Sequence, residues 1–258
     1  MIMKPTVFIT GATAGLGEAM AKKFAENNYP LIVTGRRSNR LKELKNTLEK
    51  NYGVQVTTLQ FDVQKKKEVN DAIQSLDENL KKEIAVLINN AGLAAGLDLF
   101  QEGATGDWEQ MIDTNVKGLL FVTKAIVPFM IENNSGHIIN IGSTASKYVY
   151  EKGNVYCASK FAVDALTQAL RIDLLKHNIK VTGIHPGAAV TEFSIVRFKG
   201  DQEKADAVYK GYQPLTAENV ADAVYYCASL PAHVCINSLE ISSVSQANPF
   251  YINRKPEE

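Results

Sequence analysis

The chain has 258 residues and no formal net charge, with 28 basic side chains against 28 acidic ones. That length suits one large domain with a sizeable core. The charge balance offers no basic footprint for nucleic acid and none for an anionic membrane.

The leader Met1-Ile2-Met3-Lys4-Pro5 runs straight into the first apolar stretch, without the apolar region of a signal peptide. No segment is expected to reach the ~20 apolar residues of a spanning helix, so a cytoplasmic protein without a membrane partner is expected. A strand is predicted over residues 6–10 and a helix over 15–27. Between them lies Thr10-Gly11-Ala12-Thr13-Ala14-Gly15-Leu16-Gly17. A glycine-rich turn from strand to helix lets backbone approach a pyrophosphate, and the helix start offers free N–H groups. The spacing departs from the commoner G-x-G-x-x-G. Glycines also close ordinary turns, so the place after the first strand carries the argument.

The second strand, over 31–35, runs into Arg36-Arg37. A strand that serves NAD usually ends in an acidic residue, which binds the ribose and repels a 2′-phosphate. Gly35 stands there, and arginine forks suit phosphate, so NADP is the expected cofactor. The plainer reading has both arginines starting the next helix, over 39–52, and facing water. A third strand over 55–61 ends at Asp62-Val63, and Lys65-Lys66-Lys67 opens a helix over 65–79 as a solvated first turn. The strand over 86–89 ends in Asn89-Asn90-Ala91-Gly92, which on its own is an ordinary turn. A helix over 107–132 carries Asn115. The strand over 137–143 ends at Ser143, by itself a cap or turn residue.

The helix over 153–177 carries Tyr156 and Lys160. Four residues make about one turn, so both project from one face. A free tyrosine ionises near pH ~10. A cation beside it favours the phenolate and makes a usable acid/base group. Cys157 points elsewhere and reads as packing; Cys227 and Cys235 complete three unpaired cysteines, which fits a reducing compartment. His137, His177, His185 and His233 have no metal-ligand spacing, and no metal is expected.

A strand over 180–185 leads to Pro186-Gly187. Residues 188–216 then break the rhythm and read as a lid over the substrate, or as a solvated loop. A helix over 217–229 and a strand over 238–242 follow, then a polar tail from Ser245 to Glu258, loosely ordered or packed on a neighbouring subunit. Such alternation implies a doubly wound α/β fold of Rossmann type: about seven parallel strands with helices on both faces, in one domain.

Together these motifs resemble the classical short-chain dehydrogenases/reductases. The pattern T-G-x-x-x-G-x-G, then N-N-A-G, a strand-end Ser and Y-x-x-x-K occur here in the family's order. The resemblance implies hydride transfer between a nicotinamide and a carbonyl or alcohol carbon. It implies Tyr156 as proton donor and acceptor, Ser143 holding the substrate oxygen, and Lys160 lowering the Tyr156 pKa while binding ribose. Asn115 would anchor a water beside Lys160. It assigns the cofactor to Gly11, Thr13, Ala14, Gly15, Leu16, Gly17, Asp62, Val63, Asn89, Ala91, Gly92, Pro186, Gly187 and Thr191, beside Arg36 and Arg37. It also implies a homotetramer.

A narrower resemblance rests on Thr191-Glu192-Phe193-Ser194-Ile195-Val196-Arg197-Phe198-Lys199-Gly200-Asp201, Met111–Asn115 and Leu230–Val234. These look similar to NADP-dependent 3-hydroxy acid dehydrogenases acting on serine, L-allo-threonine and related acids, including 3-hydroxypropionate and malonic semialdehyde. The stretch Ala188-Ala189-Val190 departs from their larger aliphatic pair and extra glycine. Arg197 or Lys199 is the candidate carboxylate partner; a solvated or salt-bridged side chain is the alternative for each. A 3-oxoacyl carrier-protein reductase or broad carbonyl reductase is the competing activity. A catalytically silent NADP-binding sensor is the competing class.

Overall fold

The computed structural model describes residues 4–255. The outer ends of the leader and tail, residues 1–3 and 256–258, lie outside the described residues. Along the chain the strands are β1 (Thr6–Ile9), β2 (Leu31–Gly35), β3 (Val56–Gln60), β4 (Ile84–Asn89), β5 (Gly136–Ile141), β6 (Ile179–Pro186), β7 (Ala189–Val190), β8 (Leu215–Thr216) and β9 (Ser238–Ile241). The helices are α1 (Gly15–Glu26), α2 (Ser38–Tyr52), α3 (Lys66–Gln74), α4 (Glu78–Glu83), α5 (Thr105–Ile112), α6 (Leu119–Glu132), α7 (Asn154–Asp173), α8 (Phe193–Arg197), α9 (Gln202–Ala207) and α10 (Ala217–Ser229).

Seven strands form one parallel sheet in the order β3-β2-β1-β4-β5-β6-β9, and β7 pairs with β8 apart from it. The central strands β1, β4 and β5 are near-continuous apolar runs because both faces are covered. At the edge, β9 alternates between exposed and half-buried residues. One face packs Met20 and Phe24 of α1, Leu41 and Leu48 of α2, and Val220 and Val224 of α10. The other packs Val69 and Ile73 of α3 with Val122, Ile126 and Met130 of α6. Each such side chain, fully buried, contributes about 1.5–3 kcal/mol of transfer free energy. The chain reverses its winding between β1 and β4, so a crevice opens at the carboxyl ends of those strands.

Three expected helices are subdivided. The span 65–79 ends early at Ser75, and Asp77 caps α4 through the Asn79 N–H at 2.9 Å. The span 107–132 is interrupted by a π-helical segment, Asp113–Gly118. The span 153–177 closes in a 3₁₀ turn, Leu175–His177, with Asn178 left-handed at φ 54°. The continuous helical stretch Thr105–Glu132 is long and apolar enough to cross a bilayer, which corrects the expectation that no segment reaches that length. Its buried side packs against α3 and β4 in the core.

Candidate active site

The crevice is a cavity of about 640 Å³. Its floor is the turn from β1 to α1. Gly11 and Gly15 are left-handed, at φ 64° and 54°. A Cβ on Gly11 would stand 2.9 Å from the Ala91 Cα, so only glycine fits. Thr10 Oγ1 accepts the N–H groups of Asn90 and Ala91 at 3.0 Å each, and the Asn90 amide donates to the carbonyls of Thr10 and Gly11. The two loops thus lock together. The N-cap of α1 is Ala14, which supplies no side-chain cap. The first-turn N–H groups are left for an anion, and the donor set fits a dinucleotide pyrophosphate.

Gly11, Thr13, Ala14, Gly15, Leu16, Arg36, Arg37, Asp62, Val63, Ala91, Gly92, Ser143, Tyr156, Lys160, Pro186, Gly187, Thr191 and Arg197 all line the cavity. Gly17, Asn89 and Asn115 are not on this wall. Gly17 is the close-packing point of α1 against Gly11 and Asn90. Asn89 turns into the core and donates to Thr123 Oγ1 and Asn140 Oδ1, both at 2.9 Å. Its neighbour Asn90 lines the cavity instead. Asn115 sits in the π-helical segment; its Oδ1 accepts the Leu93 N–H, and its Nδ2 donates to the Leu93 carbonyl and Ser159 Oγ. It fixes backbone behind Gly92, so both its amide hydrogens are already engaged.

At the end of β2 no acidic side chain follows Gly35. Arg36 lies 3.8 Å from Asp62, and Arg37 donates to Thr13 Oγ1 at 3.1 Å. Arg37 is also 3.5 Å from Glu192, whose two oxygens accept from Arg40 at 2.8 and 2.9 Å. Arg40 went unforeseen, because one helical arginine among solvated neighbours carries no signal.

Tyr156 and Lys160 rise from the first turns of α7, and Ser143 follows β5. Ser143 Oγ accepts the Ala145 N–H at 3.1 Å, which leaves its one hydrogen for Tyr156 or for a substrate oxygen. Lys160 Nζ donates to the Ile141 carbonyl at 3.0 Å, and burial lowers its pKa to about 8. Tyr156 departs from expectation: burial raises its pKa, against weaker opposing effects of the Ser143 hydrogen bond and Arg197. The nearby cation that favours its phenolate is therefore Arg197, with no resolved effect of Lys160.

Residues 188–216 cover the site. Thr191 packs where a Cβ on Gly15 would lie, 3.1 Å away. Arg197 Nε donates to the Gly96 carbonyl at 3.1 Å and Nη1 to the Tyr150 hydroxyl at 3.0 Å. Its guanidinium carbon stands 5.5 Å from the centre of the Tyr156 ring. Its Nη2 is buried without a hydrogen-bond partner among the described residues. Lys199 instead pairs with Asp107 at 2.8 Å and does not line the cavity. The tail also differs from expectation: Gln246, Pro249, Ile252 and Arg254 line the cavity, and Gln246 Oε1 accepts the Ala188 N–H at 2.9 Å. Nothing in the polar tail sequence separated this from a loose end.

Residues 5–202 match the short chain dehydrogenase family. NADP-dependent 3-hydroxy acid dehydrogenase YdfG of Salmonella typhi is 48% identical over 242 residues, 93% of this chain and 96% of that protein. Sulfoacetaldehyde reductase 2 of Chromohalobacter salexigens is 44% identical over 254 residues, 98% of this chain and all of that protein. A solved serine dehydrogenase in its closed form, complexed with NADP+, superposes with a TM-score of 0.90 at 45% identity, covering 94% of this chain and 96% of that one.

Proposed function

The chain belongs to the short-chain dehydrogenase family, and from that premise we propose which substrates it takes. It is an oxidoreductase of CH–OH groups, and NADP is its cofactor. We propose that its substrates are small molecules with an acid group on the carbon next to the reacting one. The observation that carries this is Arg197: a half-buried side chain on the cavity wall beside Tyr156, whose Nη2 is buried and unmatched among the described residues. An unpaired buried donor costs about 1–3 kcal/mol, and an anionic ligand removes that cost. A 3-hydroxy acid such as 3-hydroxypropionate places its carboxylate one carbon from the reacting carbon. Sulfoacetaldehyde places a sulfonate at the same remove. The names of the two kinds of relative thus share one spacing of charge and carbonyl. Lid and tail both contribute to the cavity wall, which favours a small acid over an acyl chain on a carrier protein.

Bound NADP supplies or accepts the hydride at its nicotinamide. The α1 N-terminus and the 10–17 turn would hold its pyrophosphate, Arg36 and Arg37 its 2′-phosphate, and Lys160 its ribose. Arg197 holds the acid group of the substrate and sets its reacting carbon near Tyr156. Ser143 turns its hydroxyl hydrogen from Tyr156 to the substrate oxygen. The raised pKa keeps Tyr156 protonated at neutral pH, so in reduction it donates that proton as charge develops on oxygen. In oxidation the same phenol must become a base, and the guanidinium of Arg197 favours that form.

Kinetics with 3-hydroxypropionate and with propane-1,3-diol test the acid-reading role. Arg197→Ala should lower kcat/KM for the acid by roughly 10-fold or more beyond its effect on the diol, which loses only the support that Arg197 gives the Tyr156 phenolate. Equal losses on both would remove the anion-reading role and leave Arg197 to lid closure or to the Tyr156 phenolate.

A further inference from the structure

Behind Ser143 lies a buried polar chain that the chemistry above does not use. His185, near the end of β6, lays its imidazole in a slot cleared by two glycines. A Cβ on Gly142 would stand 2.5 Å from Nδ1, and one on Gly183 would stand 2.8 Å from Nε2. Nδ1 is 2.7 Å from Ser146 Oγ. That hydroxyl accepts the Ser143 N–H at 3.4 Å and donates to the Ser143 carbonyl oxygen. On the far side, Nε2 is 3.5 Å from Asp164 Oδ1, whose other oxygen accepts from Lys147 at 2.8 Å and Gln168 at 3.0 Å. Asp164 stands on α7 one turn beyond Lys160.

The order Ser, His, Asp invites a nucleophilic reading, but the cavity does not reach Ser146 or His185, and each is 1% exposed. The chain instead ends on the peptide of Ser143. Ser146 has one hydrogen to share between the Ser143 carbonyl and Nδ1. When that hydrogen goes to the carbonyl, Nδ1 must be the donor to Ser146. The Nε2 contact is long, so the short Nδ1 contact fixes the ring. Burial first, then Lys147, lowers the imidazole pKa to about 4, so the ring is neutral and carries a single N–H.

We infer that His185 is a positioning residue for Ser143: through Ser146 it fixes the Ser143 peptide and thereby the direction of its hydroxyl. The inference rests on the role proposed above for Ser143. A lone hydroxyl at the end of a strand would swing between rotamers. Here Ser143 is pinned at its N–H and carbonyl by Ser146, and at Oγ by Ala145.

The test uses the full chain with NADP and 3-hydroxypropionate. His185→Asn keeps a polar group at the Nδ1 position, and His185→Gln moves it to the Nε2 position. The Asn variant should stay within about 3-fold of wild-type kcat, and the Gln variant should lose roughly 10-fold, with KM and NADP affinity unchanged. Ser146→Ala should behave as the Gln variant. In a Ser143→Ala background, His185→Gln should cost nothing more. Equal losses in the Asn and Gln variants, with a further loss in the Ser143→Ala background, would overturn the inference in favour of a packing role. A Gln variant with wild-type kcat would overturn it as well. If Ser143→Ala itself kept wild-type kcat, the serine assignment would fail first and this inference with it.

Discussion

The two ends of the cavity are made of different material. At the phosphate end the wall is largely backbone: Gly11, Ala14, Gly15, Gly35, Ala91 and Gly92 have almost no side chain, and hydrogen bonds hold the peptides of Gly11, Ala14, Gly35 and Ala91. At the substrate end the wall is long side chains on short elements. Phe193 and Arg197 come from a helix of five residues, flanked by paired strands of two residues each. Tyr150, Gln246 and Arg254 come from loops and tail. Elements so short make few hydrogen bonds of their own and depend on side-chain contacts to stay in place. The first end suits a ligand that does not vary. The second can be reshaped by substitution without disturbing the sheet.

Tyr156 stands where the two ends meet, so its loss should separate them most sharply. Tyr156→Phe removes the proton donor and leaves the backbone wall intact. It should lower kcat by ~10²–10⁴-fold, with NADP affinity nearly unchanged. Steady-state kinetics and cofactor titration check both halves. More than about a tenth of wild-type kcat in the Phe variant would remove the phenol from the proton transfer.

The same contrast explains what could be read from the chain alone. A backbone wall requires glycines close to a strand end, so the 10–17 turn is legible from its place after the first strand, and Ala91-Gly92 only through the family resemblance. The parallel order followed from apolar runs alternating with helical periods. Asn89 and Asn90 show the limit: adjacent residues on a strand face opposite sides, and strand end and turn meet at this pair. Asn115 was found by pattern, but its hydrogen bonds depend on a π-helical segment with no composition cue. Arg197 was legible only as a candidate beside Lys199. What sets them apart is Asp107, which pairs with Lys199 from a helix more than ninety residues earlier in the chain. The Tyr156 direction was missed because spacing gives a neighbour but not a dielectric; full burial outweighs the cation.

The next largest effect belongs to the phosphate end. Replacing Arg36 and Arg37 together by Ala should weaken NADP binding by ~10- to 150-fold and leave NAD binding little changed. Their side chains are 61% and 48% exposed, so solvent screening should bring the loss nearer the lower figure. Equal losses for both cofactors would mean that the arginines hold the fold and not the 2′-phosphate.

The smallest predicted effect tests whether the two ends are separate at all. Glu192 belongs to the lid, yet its carboxylate sits on Arg37 and Arg40 at the phosphate end. A carboxylate there partly neutralises the positive charge that a 2′-phosphate needs. Glu192→Gln removes the charge and keeps the shape. If the ends are coupled only through that charge, the variant should bind NADP up to ~5-fold more tightly at low salt, the upper range for an exposed ion pair. The gain should shrink as salt rises, and NAD binding should stay level. If the carboxylate serves instead as a strap that keeps the lid over the cofactor, NADP and NAD should both bind more weakly at low salt, by the same factor. The salt series with both cofactors therefore decides whether the lid reaches the phosphate end as a competing charge or as a mechanical tie.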